Sequence, residues 1–155
     1  QSLLLLAKIE NRQFENTEKI NLSCVLNQSV ENFEELATIK NSSIEKNIGE
    51  NIFIEINDSL AEILISNIIL NAIKHNYQNG NIKAELTANS LIVSNTGDES
   101  HENTSELFER FKKGSSSGDS IGLGLAIVKT ICNTYGFAVS YLYKEETHIV
   151  RVVFH

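Results

Sequence analysis

Apolar positions recur along this chain at two spacings, about every 3.6 residues and every second residue, and the changes of spacing mark its elements. Gln1 to Phe14 predicts a helix, although Leu4, Ala7 and Ile9 make no single tidy face and so short a stub would not fold alone. Ile20 to Leu22 suits a short strand. Ser23 is placed to cap a helix over Cys24 to Lys40, with Val25, Val30, Phe33, Leu36 and Ala37 inward. Ile52 to Ile56 alternates and reads as a strand, and Asp58 or Ser59 would cap the helix behind it. From Leu60 to Ile73 that helix is apolar almost all the way round, the mark of a segment buried in a core.

Asn81 to Thr87 and Ser90 to Asn95 predict a hairpin across Ala88-Asn89. The stretch from Thr96 to Ile121 is too long and polar for an ordinary connection, so it is a functional lid or disorder, with one helical turn at Leu107 to Phe111. Gly122 to Tyr135 predicts the last helix, ended by Gly136. Phe137 to Tyr143 and Thr147 to Phe154 close the chain as a second hairpin through Lys144-Glu-Glu146. The sum is an α+β fold, a two-layer sandwich of a mixed β-sheet with helices on one face.

The 155 residues are one domain with room for a proper core, plus a short appended element. A net charge of −7 argues against a general nucleic-acid surface. It also means that an anionic ligand would depend on a metal ion and on local cations, chiefly Lys74, Lys112, Lys113 and Arg110. Cys24 and Cys132 lack metal or redox spacing and read as small buried residues of a reducing compartment. No run approaches the roughly 18 apolar residues of a membrane span. The chain starts at Gln1 rather than Met and reads as a fragment, so a missing span says nothing of the parent protein.

Two segments carry chemistry. Gly122-Leu-Gly-Leu-Ala-Ile-Val-Lys129 follows a polar stretch and opens a helix whose free N–H groups would suit phosphate. It is neither a P-loop nor a dinucleotide fingerprint, because the Lys and the third glycine are missing. In Asn67-Ile-Ile-Leu-Asn-Ala-Ile-Lys-His-Asn76, the residues Asn67, Asn71, Lys74 and His75 fall on one helical stripe. An amide buried there without partners would cost roughly 1–3 kcal/mol, so it needs a reason. Asn71 could give Mg²⁺ a neutral oxygen and Lys74 could meet phosphate, while Asn67 could equally bond neighbouring backbone.

With these segments in hand, the chain resembles the ATP-binding catalytic domain of two-component sensor histidine kinases, in the superfamily shared with the gyrase, Hsp90 and MutL ATPases. Four ordered blocks carry the resemblance. Asn67 to Asn76 looks like the N box, Leu91 to Gly97 like the G1 box, Leu107 to Lys113 like the F box and Ile121 to Lys129 like the G2 box. The resemblance implies a Bergerat-type fold, with residues 1–15 as the tail of the dimerisation and phosphoacceptor helix or a linker. Residues 16–155 would be the ATP-binding domain, with its lid at about 96–121. ATP and Mg²⁺ are the implied cofactors, with Asn71 on the metal and Asn67, Lys74 and Lys113 as the catalytic set. His75, Asn95, Gly97, Phe108, Gly122, Leu123, Gly124 and Leu125 would line the nucleotide, and Phe108 and Phe111 would anchor the lid. The implied partners are the phosphoacceptor domain of the same protein, as a homodimer, and the receiver domain of a response regulator. Nucleic acid is not among them, nor is membrane contact within this fragment, and the location is the cytoplasmic side of a membrane-anchored bacterial sensor.

Departures from the family pattern refine that expectation. Asn95 stands where the family has an Asp that accepts from the adenine amine, and Glu99 where it has a second glycine. A neutral amide accepts more weakly, and its own NH₂ must also be satisfied. Asn67 stands where the superfamily's hydrolases carry a water-activating Glu, and an amide is no general base. That favours phosphoryl transfer over hydrolysis. None of His75, His101, His148 and His155 sits in a phosphoacceptor context, so that histidine must come from elsewhere. The alternatives are a nucleotide-binding regulatory domain without transfer, a related ATPase and an anti-sigma-type serine kinase.

Overall fold

The computed structural model describes residues 2–99, 106–109 and 123–155. Helix α1 (Ser2–Glu10) is followed by β1 (Glu18–Asn21), α2 (Leu22–Ile39), β2 (Ile44–Ile48), β3 (Phe53–Ile56) and α3 (Asp58–His75). The rest is β4 (Ile82–Leu86), β5 (Ser90–Thr96), a 3₁₀ turn at Glu106–Phe108, α4 (Gly124–Tyr135), β6 (Ala138–Lys144) and β7 (Thr147–Val153). The main sheet has the order β2-β4-β5-β7-β6, parallel only between β2 and β4, and β1 and β3 form a separate antiparallel pair.

Alternation decides which face of the sheet is covered. Ala84, Val93 and Val150 lie opposite one another across three strands, as do Leu86, Leu91 and Val152, and all six are buried. The helices cover this face, with α3 central against β5 and flanked by α2 and α4. Leu64, Ile65, Ile68 and Ile69 are almost fully buried. At roughly 1.5–3 kcal/mol per buried aliphatic side chain, α3 is the main hydrophobic contributor to the domain. In α1, Leu6 and Ile9 join this core through α4, so the stub that could not fold alone is held by tertiary contact.

Several local expectations are corrected. The cap of α2 is Asn21, whose side chain accepts from the Cys24 N–H, and the helix therefore starts at Leu22. Ser23 is instead buried inside the first turn, where its hydroxyl donates to the Gly49 carbonyl and accepts from the Ile52 N–H at 3.0 Å. Leu36 is 42% exposed rather than inward, and Leu26 and Leu22 fill the core in its place. The cap of α3 is Asn57, one or two residues before the expected Asp58 or Ser59, accepting from Leu60 N–H at 3.1 Å. Cys132 is buried and its thiol pushed up to about 12 by desolvation, whereas Cys24 is exposed. Strand β2 escaped the sequence pattern because it is an edge strand, with three polar residues between Ile44 and Ile48.

The Ser23 hydroxyl bridges two backbone groups from the β2–β3 connection, so removing it orphans both. Ser23→Ala is expected to lower unfolding stability by about 1–3 kcal/mol, with the urea m-value unchanged. A loss below about 0.5 kcal/mol, the scale of ordinary surface changes, would show the bridge to be dispensable.

Candidate functional site

Helix α3 is not wrapped in core on all sides. Glu62, Leu70 and Lys74 are exposed, and Asn67, Asn71 and His75 are half-buried. The premise of two fully buried amides is therefore overturned: the sheet, α2 and α4 cover three sides of α3 and leave one stripe partly open. Asn67 donates through Nδ2 to the Ile63 carbonyl one turn back, at 2.8 Å. Its Oδ1 faces the start of α4, where a Cβ on Gly124 would lie 3.3 Å from it. Glycine thus lets α4 begin directly against the α3 stripe. Among the described residues, the Asn71 amide makes no hydrogen bond and remains available.

The amino end of α4 has no side-chain cap among the described residues, since Leu123 occupies the capping position. Leu123 and Leu125 are buried, so their side chains serve the core, and what they present at the helix start is backbone N–H. Leu107, in the 3₁₀ turn, is the buried anchor against α4, whereas Phe108 is only partly buried. Sequence reading credited the aromatics and missed Leu107. The expected roles of Lys113, Gly122, Phe111, Lys112, Arg110 and His101 fall outside the described residues.

At its carboxyl end α3 meets the end of β5. A Cβ on Gly97 would come within 2.5 Å of the His75 carbonyl and 2.8 Å of the His148 ring, so only glycine fits between them. Asn95 is buried, with Nδ2 donating to the Thr96 carbonyl at 2.8 Å. That bond engages one of the two amide N–H groups and leaves Oδ1 as acceptor. Thr96 donates to Asn76 at 2.6 Å and accepts from Asn81 N–H at 3.0 Å, while Asn76 donates to Ser42 at 3.0 Å. The Lys40 ammonium donates to the carbonyls of Lys74 and Asn76, closing the helix end where a cation is favourable.

His148 was assigned no role from sequence, yet it is buried beside this junction. Its Nε2–H donates to the Asp98 carbonyl at 2.7 Å and its Nδ1 accepts from the Tyr141 hydroxyl, and burial pushes its pKa down. Tyr143 donates to the Gly97 carbonyl at 3.0 Å. Strand alternation could have shown that Tyr141, Tyr143 and His148 share the helix-side face, but not that they reach past the strand end. A separate recess of about 920 Å³, lined in part by Arg12, Phe53, Asn89 and Phe154, lies at the other end of β5 from Gly97 and shares no residue with this site.

Residues 39–155 match the family model described as histidine kinase-, DNA gyrase B-, and HSP90-like ATPase. The chain is 32% identical over 152 residues to the heme sensor protein HssS of Staphylococcus aureus strain Newman, covering 93% of this chain and 33% of that protein. It is 30% identical over 141 residues to the sensor histidine kinase HprS of Escherichia coli K12, covering 84% of this chain and 30% of that one. It thus spans about a third of the length of the curated relatives it matches. Among solved structures, the mycobacterial sensor histidine kinase MprB superposes with a TM-score of 0.77 at 20% identity, over 90% of this chain and 97% of that one. The catalytic domain of histidine kinase ThkA gives 0.76 at 23% identity, over 90% and 95%. These likenesses establish the fold.

His75 lies under this junction, and its pKa is lowered to about 4, first by desolvation and then by Lys74, His148 and Lys40. A folded pKa below the unfolded value of 6.5 means that the neutral ring stabilises the fold fully above about pH 6.5. That contribution is lost as pH falls toward 4. The melting temperature is therefore expected to drop on acidification through this window, and His75→Gln to make the drop shallower. A pH profile identical in the variant would remove His75 as a contributor.

Proposed function

Since this chain belongs to the family of histidine kinase-, DNA gyrase B-, and HSP90-like ATPases, we propose that it binds Mg²⁺-ATP and donates the γ-phosphoryl group to a histidine of its parent protein's phosphoacceptor domain. One observation carries the proposal. The polar stripe of α3 has the start of α4 against Asn67 at one end and the Asn95–Gly97 backbone against His75 at the other, with the Asn71 amide between them; among the described residues neither that helix start nor Asn71 has a side-chain partner. Eight residues of helix separate those ends by about 12 Å. A nucleotide would thus find amide donors for phosphate at Gly124 and an acceptor for the exocyclic amine of adenine at Asn95.

Mg²⁺ fits this set. The described residues hold no cluster of three or more His, Cys, Asp or Glu, so the ion would take its oxygens from phosphate, water and Asn71. Bound there, it would neutralise phosphate charge. Lys74, exposed on the last turn of α3, adds a mobile cation, and Lys113 is assigned the γ-phosphate contact. Asn67 has its nitrogen committed to Ile63 and no basic group to offer water, which supports transfer over hydrolysis. The domain would therefore act by positioning and electrostatics rather than by general-base chemistry. Residues 1–15 are assigned to the end of the phosphoacceptor helix or a linker, with exposed Leu3 and Leu4 as an interdomain or homodimer contact. A response-regulator receiver domain is the downstream partner. The parent is assigned as a membrane-anchored bacterial sensor with this domain in the cytoplasm.

Two measurements test this. Asn71→Ala should reduce Mg²⁺-dependent ATP affinity at least about 10-fold with the circular dichroism spectrum retained; that loss corresponds to roughly 1.4 kcal/mol. Equal affinity would take Asn71 out of the metal site. With γ-labelled ATP and the parent's phosphoacceptor domain, acid-labile, base-stable label should appear on that domain, more slowly for Lys113→Ala and Phe108→Ala. Steady phosphate release by the chain alone would favour an ATPase. Nucleotide binding without transfer would favour a regulatory module.

A further inference from the structure

The structure assigns to the β6–β7 hairpin a positioning role in the base pocket: Tyr143 and His148 hold the backbone of Gly97 and Asp98, and so fix the strand end on which Asn95 offers its acceptor oxygen. The inference rests on the nucleotide reading above and concerns residues to which that reading gives no part.

Three hydrogen bonds from one hairpin converge on two consecutive residues. The Gly97 N–H donates to the Glu146 carbonyl at 3.0 Å, the Tyr143 hydroxyl donates to the Gly97 carbonyl at 3.0 Å, and His148 Nε2–H donates to the Asp98 carbonyl at 2.7 Å. The hairpin itself is stiff. Tyr143 and His148 pair directly across β6 and β7 with ring centroids 4.7 Å apart, and Tyr141 bonds the other imidazole nitrogen. With Nε2 donating and Nδ1 accepting, the imidazole is fixed as one neutral tautomer, and its ring plane cannot turn without losing both bonds.

This segment would otherwise be loosely determined. Gly97 has no side chain to pack, and it lies wedged between the His75 carbonyl and the His148 ring. The two carbonyls that follow Thr96 point to side chains rather than into a ladder, so the sheet alone does not hold them. Asn95 pairs with His148 across β5 and β7, and its amide orientation depends on the Thr96 carbonyl, one residue before the clamped peptide. A neutral acceptor binds an amine with directional, uncharged hydrogen bonds, so its strength depends on being held in place beforehand. The hairpin supplies that hold from outside the nucleotide-contacting set.

The test uses competition titrations of ADP and GDP, with Mg²⁺, on the whole chain. Tyr143→Phe removes one hydroxyl, His148→Leu removes the imidazole bonds, and His148→Gln restores a side-chain donor. Tyr143→Phe is expected to weaken ADP about 3- to 10-fold, the range for one hydrogen bond, and His148→Leu to weaken it more. GDP, whose base has a carbonyl instead of an amine at the six-position, should stay within about twofold, so the ADP-to-GDP preference shrinks. His148→Gln should recover part of it, and amide exchange at Gly97 and Asp98 should speed up in the first two variants only. Equal losses for ADP and GDP would overturn the inference, because a merely structural hairpin does not discriminate bases. Unchanged ADP affinity in both Tyr143→Phe and His148→Leu would overturn it while leaving nucleotide binding intact. No ADP binding by the unmodified chain would instead remove the nucleotide reading, and the clamp with it.

Discussion

Everything in this domain is referred to one contact, the burial of α3 against the helix-side face of the sheet. Leu60, Leu64, Ile65, Ile68, Ile69 and Ala72 are all within 2% of full burial, and they share one core cluster with Ala84, Leu91, Val93 and Val152 of the sheet. Because interiors pack to crystal-like density, a helix locked by so many side chains has neither rotational nor axial freedom. Its rotation decides that Asn67 and Asn71 lie on the half-open stripe. Its axial position decides that the His75 carbonyl lands on Gly97. The functional geometry is thus set by apolar packing on the opposite side of the same helix.

The candidate site is assembled where regular structure stops. Among the described residues the start of α4 has backbone donors without a side-chain cap, the end of α3 has its carbonyls covered by the Lys40 ammonium, and β5 ends in a peptide held by side chains from elsewhere. Element ends carry the unsatisfied backbone groups, so they are where a ligand or a neighbouring side chain gains most from binding. Here the two solutions are divided. The ends of α3 and β5 are tied internally through Asn76, Thr96, Ser42 and His148, and among the described residues the start of α4 has no side-chain cap. Under the proposed nucleotide reading, such a site is rigid beside the base and open beside the phosphates.

Neutral amides replace charged groups at two places in this site. Asn67 spends its nitrogen on its own helix and Asn95 spends its nitrogen on Thr96, so each presents one oxygen of fixed direction. In a chain of net charge −7, a carboxylate at either place would add repulsion against the polyphosphate of the proposed nucleotide. Amides avoid that repulsion at the cost of weaker individual bonds, which makes positioning the dominant requirement.

The sequence by itself determined the layers, both hairpins, the glycine that ends α4 and the polar stripe of α3, because all of these follow from local periodicity and backbone preference. It also carried the four blocks that identify the family. The caps at Asn21 and Asn57 were misplaced by one or two residues, because several adjacent polar side chains are equally competent until tertiary packing fixes the first helical turn. Strand β2 was invisible because an edge strand with a polar middle exists only by pairing with β4, which lies far along the chain. Leu107 and the Tyr143–His148 clamp were missed for the same reason. Their significance lies in what they touch, α4 in one case and the Gly97–Asp98 peptide in the other, and contacts between distant segments have no local signature. The degree of burial of Asn67 and Asn71 was likewise a tertiary decision: the pattern shows which residues share a face, and only the packed neighbours decide how far that face is closed.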